Sequence, residues 1–480
     1  MHIKEETLDP KDWEQTRELA HEMIDFAVDY LKNVEDRPVW QEVPDSIQKE
    51  FENPLPEQGE PLRDVYQKLI NNVMPYQMGN IHPRFWMWYM GSGNFTGAMG
   101  DFMAAILGSN LGGGNHAATM IDNQVVNWCK QMVGFPAAAS GTLVSGGSMA
   151  NILCLTIARN VMSGMDLREK GVAALDQPLV FYSSDQVHSC HQKGMEVLGL
   201  GKNALHKVKT NDAFQIDMKA LEMAVQKDRA DGKRPICVIA NAGAVNTGAI
   251  DDLRALAHFC KREKLWFHID GCIGALIAIA PKNGSLVDGL DLGDSIALDP
   301  HKWLHAPFEV GCAIVRNASD HLNTFSISPE YLQKTERGIP SKYWLHHYGM
   351  QTSRGFRALK VWLSVQEQGI NKFGRLIDQN IYQAKYLTDL IQRTNDLELI
   401  APTNINIVCF RYNPGNMQED ALKKLNVEIM LQLQEKGIAA LSDTTVNGQH
   451  CLRTAICNHR TKLSDLDMVI NEILSLGSIL

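Results

Sequence analysis

No apolar run in the sequence approaches the roughly 18 residues that a membrane-spanning helix needs; the longest are stretches such as "ALIAIA" at 275–280. No basic block occurs either. The 46 Lys and Arg stand against 55 Asp and Glu, a formal net charge of −9, which argues against nucleic acid as a partner and for a small molecule. The ten cysteines contain no Cys-x-x-Cys pair and fall mostly inside apolar strings such as "ICVIA" and "VGCAIV". Disulfides and a metal site are therefore not expected, and the thiols read as reduced core residues. Internal repeats and low-complexity tracts are absent. The opening "MHIKEETLDPKDWEQ" is polar and acidic, without the apolar segment of a secretory signal, so a cytoplasmic location is the expectation.

What remains is a chain of ordinary globular composition, 45% hydrophobic and 21% charged over 480 residues, long enough for two or three domains. Trp13, Leu19, Met23, Phe26, Ala27 and Tyr30 fall at mostly helical spacings, and Asp9 followed by Pro10 predicts the start of that helix. A charged, proline-rich stretch then leads to a second helix at 62–74. Residues 1–80 thus read as a helical arm with little core of its own, expected to lie on the main domain or on a partner subunit. Over 81–372, short apolar runs such as "PLVFYSS" (178–184), "PICVIANAG" (235–243), "LWFHID" (265–270) and "CAIVR" (312–316) alternate with helical patterns. That alternation predicts an α/β domain with a largely parallel sheet. Residues 373–480, with strand-like "LELIAPTNINIVCFRYNP" and "HCLRTAICNH" and helices at 417–436 and 464–475, predict a smaller α+β domain.

In open α/β sheets ligands gather outside the carboxyl ends of the strands, and several polar residues fall at such ends. "LVSGGSMAN" (143–151) runs from an apolar pair into a helix start. There Gly147 and Ser148 form a cup in which backbone N–H groups, a hydroxyl and the helix dipole favour an anion. On its own, Gly-Gly-Ser before a helix is an ordinary turn and cap. Asp270 follows the apolar "FHI" and precedes small residues; alone it reads equally as a turn cap or as the partner of a ligand nitrogen. His188 follows "FYSSDQV", and a lone imidazole there is an ordinary hydrogen-bonded histidine. Lys302, in "SIALDPHKWLHAPFEVGCAIV" (295–315), reads as a charge at the end of a buried strand. Apolar surroundings would depress its pKa, and snorkelling to solvent is the plainer alternative. Together the four supply what pyridoxal phosphate requires: an anion site, a stacking surface, a partner for the pyridinium and a Schiff-base amine.

The same segments carry a resemblance. "HIDGCIGAL" with "DSIALDPHKWLHAPFEVGCAIV" resembles the group II pyridoxal-phosphate-dependent amino-acid decarboxylases, as do "HPRFWMWYMGSGNFTGAMGDFMAAIL", "NHAATMIDNQVVNW", "LVSGGSMAN" and "QTSRGFRALKVWL", in that family's order. The chain is most similar to bacterial members acting on aromatic L-amino acids. The resemblance implies a fold type I enzyme with a mostly parallel seven-stranded sheet, working as a homodimer whose active site lies at or near the subunit interface. It implies Lys302 as the Schiff-base lysine, Asp270 on the pyridine nitrogen, His188 on the ring face, and Gly147, Ser148 and Asn241 around the phosphate. Cys272 and Asp299 join the cofactor-binding set, and His301 contacts the cofactor or the substrate carboxylate. A loop tyrosine that protonates the substrate carbon corresponds here to Tyr331, Tyr343 or Tyr348, of which Tyr343 is favoured. Trp88, Tyr89, Gly91 and Trp303 are expected to wall the substrate site.

An aromatic amino acid of tryptophan, tyrosine, phenylalanine or dopa type is the expected substrate, because "HPRFWMWYM" (82–90) is rich in aromatic rings. The alternatives are an acidic or other non-aromatic amino acid (glutamate, aspartate, cysteine sulfinate or 2,4-diaminobutyrate), for which Arg84 would be the recognising cation, and oxidative aldehyde formation. A cofactor-binding homologue without catalysis is the non-enzymatic alternative. The glycines of "NLGGGNHAAT" and Thr96 depart from the animal aromatic decarboxylases, which carry bulky aromatics and a proline there, so a wider pocket is expected.

Overall fold

The computed structural model describes residues 5–327 and 334–480. The first helix, Trp13–Lys32, is capped by Asp12, whose side chain accepts from the N–H groups of Glu14 and Gln15. Asp9, the predicted cap, lies outside it, because a cap acts on N–H groups two and three residues onward. Of this helix only Leu19 is fully buried. Leu62–Lys68 continues the arm, and Leu55, Leu62 and Val65 stand 89%, 54% and 47% exposed, so the arm covers little of its own chain.

Seven strands form the main sheet: β1 (Ser140–Val144), β2 (Leu179–Ser184), β3 (Leu205–Val208), β4 (Arg234–Asn241), β5 (Trp266–Asp270), β6 (Ser295–Leu298) and β7 (Gly311–Val315). Their order is β1-β7-β6-β5-β4-β2-β3. The pairs β2/β3, β2/β4, β4/β5 and β5/β6 are parallel, and β7 runs antiparallel to both β6 and β1. Every residue of β2, β5, β6 and β7 is buried, as a sheet covered on both faces requires, which is why these strands read as near-continuous apolar runs. Val238 and Ala240 of β4 join the core beneath helices Ala117–Met132 and Leu253–Glu263; Cys237 and Ile239 join the core on the opposite face, beneath Gly147–Met162.

A second, antiparallel sheet follows, with β8 (Leu397–Leu399), β9 (Ile407–Tyr412), β10 (Ser442–Val446) and β11 (Gln449–Ala455) in the order β10-β11-β9-β8. β10 and β11 are joined through Asn447 and Gly448, both at positive φ (51° and 82°), the conformation a tight two-residue hairpin turn demands. Helices Glu419–Glu435 and Leu463–Ile479 cover this sheet. The helix Ile370–Arg393 ties the two cores together: Phe373, Ile377 and Ile381 enter the main core, and Ala384, Leu387 and Ile391 enter the second. Among the described residues no helix is long and apolar enough to cross a membrane.

Candidate active site

The carboxyl ends of β4, β5 and β6 deliver Asn241, Asp270 and, one residue past β6, Asp299 to a single cavity of about 560 Å³. On one side the chain leaves β1 through Ser145 and Gly146 into the helix Gly147–Met162. The approach is tight. A Cβ on Gly311 would lie 2.5 Å from the backbone of Gly146, and a Cβ on Gly147 would lie 2.4 Å from Cys272 Sγ and 2.6 Å from Asp299 Oδ2. Only glycines let this helix N-terminus, with Ser148 in its first turn, open into the cavity.

His188 also faces the cavity, and it caps the helix Ser189–Val197, its Nδ1 accepting from Cys190 N–H at 3.2 Å. A separate interaction with the Cys190 side chain raises the imidazole pKa, against the opposing effect of burial. Asn241 is held from behind: its side-chain amide donates to Ser184 Oγ at 3.0 Å and its N–H to Asp251 Oδ2 at 2.7 Å. Asp270 is bound on both oxygens, by His191 Nε2 at 2.8 Å and by Cys272 N–H at 3.2 Å. Burial alone would raise its pKa; the His191 hydrogen bond and charge outweigh this and hold the carboxyl far below the usual range.

Lys302 sits on the helical turn Pro300–Trp303 that follows β6, one turn beyond the strand end at which the sequence placed it. Its Nζ lies 3.1 Å from Asp299 Oδ2 and 5.5 Å from the centre of the Tyr89 ring. Burial disfavours the ammonium, yet Asp299, with Cys272 and Asp270 adding to it, more than compensates, and the pKa is raised above the ordinary lysine value. The expected depression does not occur, because the surroundings are anionic rather than apolar. His301 Nδ1 accepts from Val310 N–H at 3.3 Å, its ring stands 4.6 Å from that of Phe308, and burial lowers its pKa. Asp299 Oδ1 is buried without a hydrogen-bond partner.

Gly147, Ser148, His188, Asn241, Asp270, Cys272, Asp299, His301 and Lys302 thus share one cavity, with Trp88 and Tyr89 in its lining. Three expected residues stand elsewhere. Trp303 is fully buried behind Tyr89, edge-on at 6.1 Å, with Nε1 donating to Asn380 Oδ1; it supports the wall without lining it. Gly91 packs against the carbonyl of His301, which a Cβ would meet at 1.6 Å. Tyr343, at φ 59°, gives its carbonyl to Gly114 N–H and is not among the cavity-lining residues. Of the other tyrosines, Tyr348 packs edge-on against His321 at 5.1 Å, and Tyr331 lies outside the described residues. Arg84, the cation of the acidic-substrate alternative, does not line the cavity: its Nε donates to Ile438 O at 2.7 Å and Nη1 lies 3.5 Å from Asp465.

Two residues were missed. Arg453, on β11, lines the cavity although it is 3% exposed; it donates to the carbonyls of Trp88, Val245 and Asn246 and to Ser442 Oγ, and among the described residues it has no carboxylate partner. The one available signal was a charge inside the otherwise apolar "CLRTAIC". His191 reaches the site from behind Asp270, one helical turn after His188.

Comparison with known proteins gives a consistent result. The pyridoxal-dependent decarboxylase conserved domain matches residues 44–413. An aromatic-L-amino-acid decarboxylase of Bacillus atrophaeus is 33% identical over 473 residues, 97% of this chain and 96% of that protein. A phenylacetaldehyde synthase of a Rosa hybrid cultivar is 27% identical, with 94% of this chain and 90% of that protein aligned. Among solved structures, Oryza sativa TDC with PLP and tryptamine superposes with a TM-score of 0.89 at 26% identity, over 98% of this chain and 99% of that one.

Proposed function

The chain belongs to the pyridoxal-dependent decarboxylase family and is a pyridoxal-phosphate-dependent amino-acid decarboxylase; on that premise we propose that its substrate is an aromatic L-amino acid, released as the amine and CO2. When bound, the cofactor supplies an aldehyde carbon for the substrate amine and a protonated ring that draws the electron pair left by CO2. The cavity suits it. Gly147 and Ser148, in the first turn of a helix whose N-terminal N–H groups and hydroxyl suit a phosphate, line the cavity together with Asn241. Lys302 offers the amine for the aldehyde, Asp270 the carboxylate for the ring nitrogen and His188 the imidazole for the ring face. Cys272, Asp299 and His301 complete the surround.

The observation that carries the aromatic assignment is the remaining lining, in which Trp88, Tyr89, Met90, Val245 and Ile273 present apolar and aromatic surface beside Lys302. The exposed carboxylate of Asp443 lines the same cavity and would repel an acidic side chain. Arg453 then serves the α-carboxylate, which every amino-acid substrate carries: a guanidinium has five N–H donors, and its four contacts within the chain leave one over.

One observation favours a second reading, oxidative aldehyde formation. Among the described residues, the only tyrosine lining the cavity is Tyr89, whose hydroxyl is engaged by Asn406. Among the described residues a single chain therefore offers Lys302, His188 and His301, but no free phenol, as the acid that reprotonates the substrate carbon. The phenylacetaldehyde synthase relative aligns over nearly the whole chain. The deciding experiment is a panel of tryptophan, tyrosine, phenylalanine, dopa, glutamate, aspartate, cysteine sulfinate and 2,4-diaminobutyrate, with CO2, amine, aldehyde and peroxide all measured. Amine and CO2 in equal amounts, with kcat/KM for an aromatic substrate about a hundredfold above glutamate, is expected. A preference for glutamate overturns the substrate assignment, and aldehyde with peroxide overturns the amine-forming one.

The assembly belongs to the same reading. Phe95, Phe102, Met103, Ile106 and Leu107 of one helix are each at least 40% exposed, and the arm adds further apolar surface. Such a face is covered when two copies associate as a homodimer. The ten cysteines, all free and buried, suit a cytoplasmic home.

A further inference from the structure

Asp270 does not stand alone at the end of β5. His191, fully buried three residues after His188, lies on the same face of its helix, so that one turn presents one imidazole to the cavity and the next presents an imidazole to the carboxylate behind it. His191 Nε2 is 2.8 Å from Asp270 Oδ2. Two lone pairs cannot face each other at that distance, so Nε2 carries a hydrogen and donates. Cys272 N–H, at 3.2 Å from Oδ1, fixes the other oxygen. The carboxylate is thereby held from two sides, with lone-pair capacity left toward the cavity.

The layer behind His191 is also satisfied. His268 stands edge-on at 6.2 Å, its Nε2 bonded to Asn151 Oδ1 at 2.8 Å and its Nδ1 to Ser295 Oγ at 2.9 Å. The Asn151 amide turns its N–H groups to the sulfurs of Cys190 and Cys272, each at 3.6 Å. One nitrogen of His191, the Cys190 thiol and an oxygen of Asp270 lie within 4.8 Å of one another. His191 is thus aimed by a packed shell at the Asp270 carboxylate, with the Cys190 thiol beside it, and among the described residues its Nδ1 has no hydrogen-bond partner.

We propose that His191 is a positioning residue for the reaction: by donating from Nε2 it keeps the Asp270 carboxylate anionic and aimed at the cofactor's ring nitrogen, and so keeps that nitrogen protonated. The charges agree in direction. Burial opposes a cationic His191, but Cys190 and Asp270 reverse that and raise its pKa. The inference rests on the reading of Asp270 as the partner of the ring nitrogen.

The test uses the holoenzyme and does not depend on turnover. Pyridoxal phosphate labelled with 15N in the ring is bound to wild-type protein and to the variants H191Q, H191F, H191M and D270N, and ring-nitrogen chemical shift and cofactor dissociation constant are measured. H191Q keeps an N–H donor and is expected to retain a protonated ring nitrogen and an affinity within about threefold of wild type. H191F and H191M, without a donor, are expected to weaken cofactor binding about tenfold, one hydrogen bond to a charged group, and to move the resonance toward the unprotonated position. Two donor-less variants are used so that a packing failure in one leaves the other informative. The double variants H191F/D270N and H191M/D270N complete the cycle: a residue acting through Asp270 adds nothing once Asp270 is neutral. The proposal is overturned if the donor-less variants keep the protonated signal and wild-type affinity, if H191Q loses both, or if the His191 substitutions cost as much in the D270N background as in wild type. A protonated ring nitrogen in D270N alone would instead overturn the role given to Asp270.

Discussion

Asp299 and Lys302 lie one helical turn apart with Oδ2 and Nζ 3.1 Å from each other, and neither side chain is more than 16% exposed. The pair explains how a lysine is tolerated there: Asp299 supplies the counter-charge that burial would otherwise make the protein lack.

Breaking that pair has two expected results. Asp299→Asn leaves a buried ammonium unpaired and should cost roughly 3 kcal/mol of cofactor-free stability in urea at pH 7. Because the native Lys302 pKa is raised, the pair's contribution is fully present below the ordinary lysine pKa and is lost only as pH rises through the higher native value. The contribution of the pair to wild-type stability should therefore be flat from pH 7 to 9. Lys302→Ala should abolish turnover, and borohydride treatment of the wild-type holoenzyme should leave the cofactor covalently on the peptide containing Lys302. Retained activity in Lys302→Ala, or a label on another lysine, would refute the assignment.

Gly147→Ala should cost cofactor affinity far out of proportion to its size. The new methyl would sit 2.4 Å from Cys272 Sγ and 2.6 Å from Asp299 Oδ2, so the helix start or the Asp299–Lys302 pair must move. A loss of about tenfold or more in cofactor affinity, read by titration of the bound chromophore, is expected. Gly355→Ala, with nothing within 4 Å of the added atom, is the matched control and should leave affinity unchanged.

The buried histidines set an acid limit to stability. Burial lowers the pKa of His268 to about 3 and those of His82, His321 and His459 to about 4. In the unfolded chain each titrates near 6.5, so between those values the unfolded state binds protons that the native state does not. Stability is then present above about pH 6.5 and lost as pH falls toward 4, by roughly 1.4 kcal/mol per pH unit for each histidine concerned. Urea midpoints of the cofactor-free protein should fall steeply from pH 7 to pH 5. A midpoint independent of pH over that range would refute the linkage.

Much of this architecture was legible because burial on both sides writes itself into a parallel strand as an unbroken apolar run; β2, β4, β5 and β7 match runs read directly from the sequence to within a residue or two. β10, Ser442–Val446, was not legible, since "SDTTV" alternates buried and exposed polar residues and draws its stability from pairing with β11. That Asn241, Asp270 and Lys302 would fall together could be read because they sit at or just past strand ends and carry unusual chemistry. Arg453 and Asp443 could not, because they stand on the second sheet and their place in the lining depends on how that sheet meets the first, a relation with no local pattern. Trp303 shows the opposite error: adjacency to Lys302 in sequence suggested a wall, but on a helical turn the next side chain points away, here into the core behind Tyr89.

The apolar helix Phe95–Leu107 gives a direct test of assembly. Phe102→Glu and Ile106→Glu, at positions 50% and 68% exposed, remove no buried contact within the chain and should leave its fold intact. Wild-type protein is expected to sediment as a dimer and the double variant as a monomer at micromolar concentration. Wild-type protein that sediments as a monomer would refute the homodimer.

Arg453 offers the sharpest separation of roles in the substrate pocket. Its guanidinium is buried, lines the cavity, and is braced by the carbonyls of Trp88, Val245 and Asn246, so its direction is set before any ligand arrives. Arg453→Lys keeps the charge but cannot keep the planar fork that meets the three carbonyls and a carboxylate at once. If the residue holds the α-carboxylate, the amino acid should bind about tenfold or more weakly to the variant, while the product amine, which has no carboxylate, should bind as it does to wild type. Loss of a brace alone would weaken both ligands together, because it would let the segment bearing Trp88 and Tyr89 shift. The ratio of the two dissociation constants, measured as competitive inhibition constants for a non-reacting amino-acid analogue and for the amine, therefore distinguishes recognition from scaffolding. An unchanged ratio would remove Arg453 from the substrate site and leave it a structural tie between the two sheets.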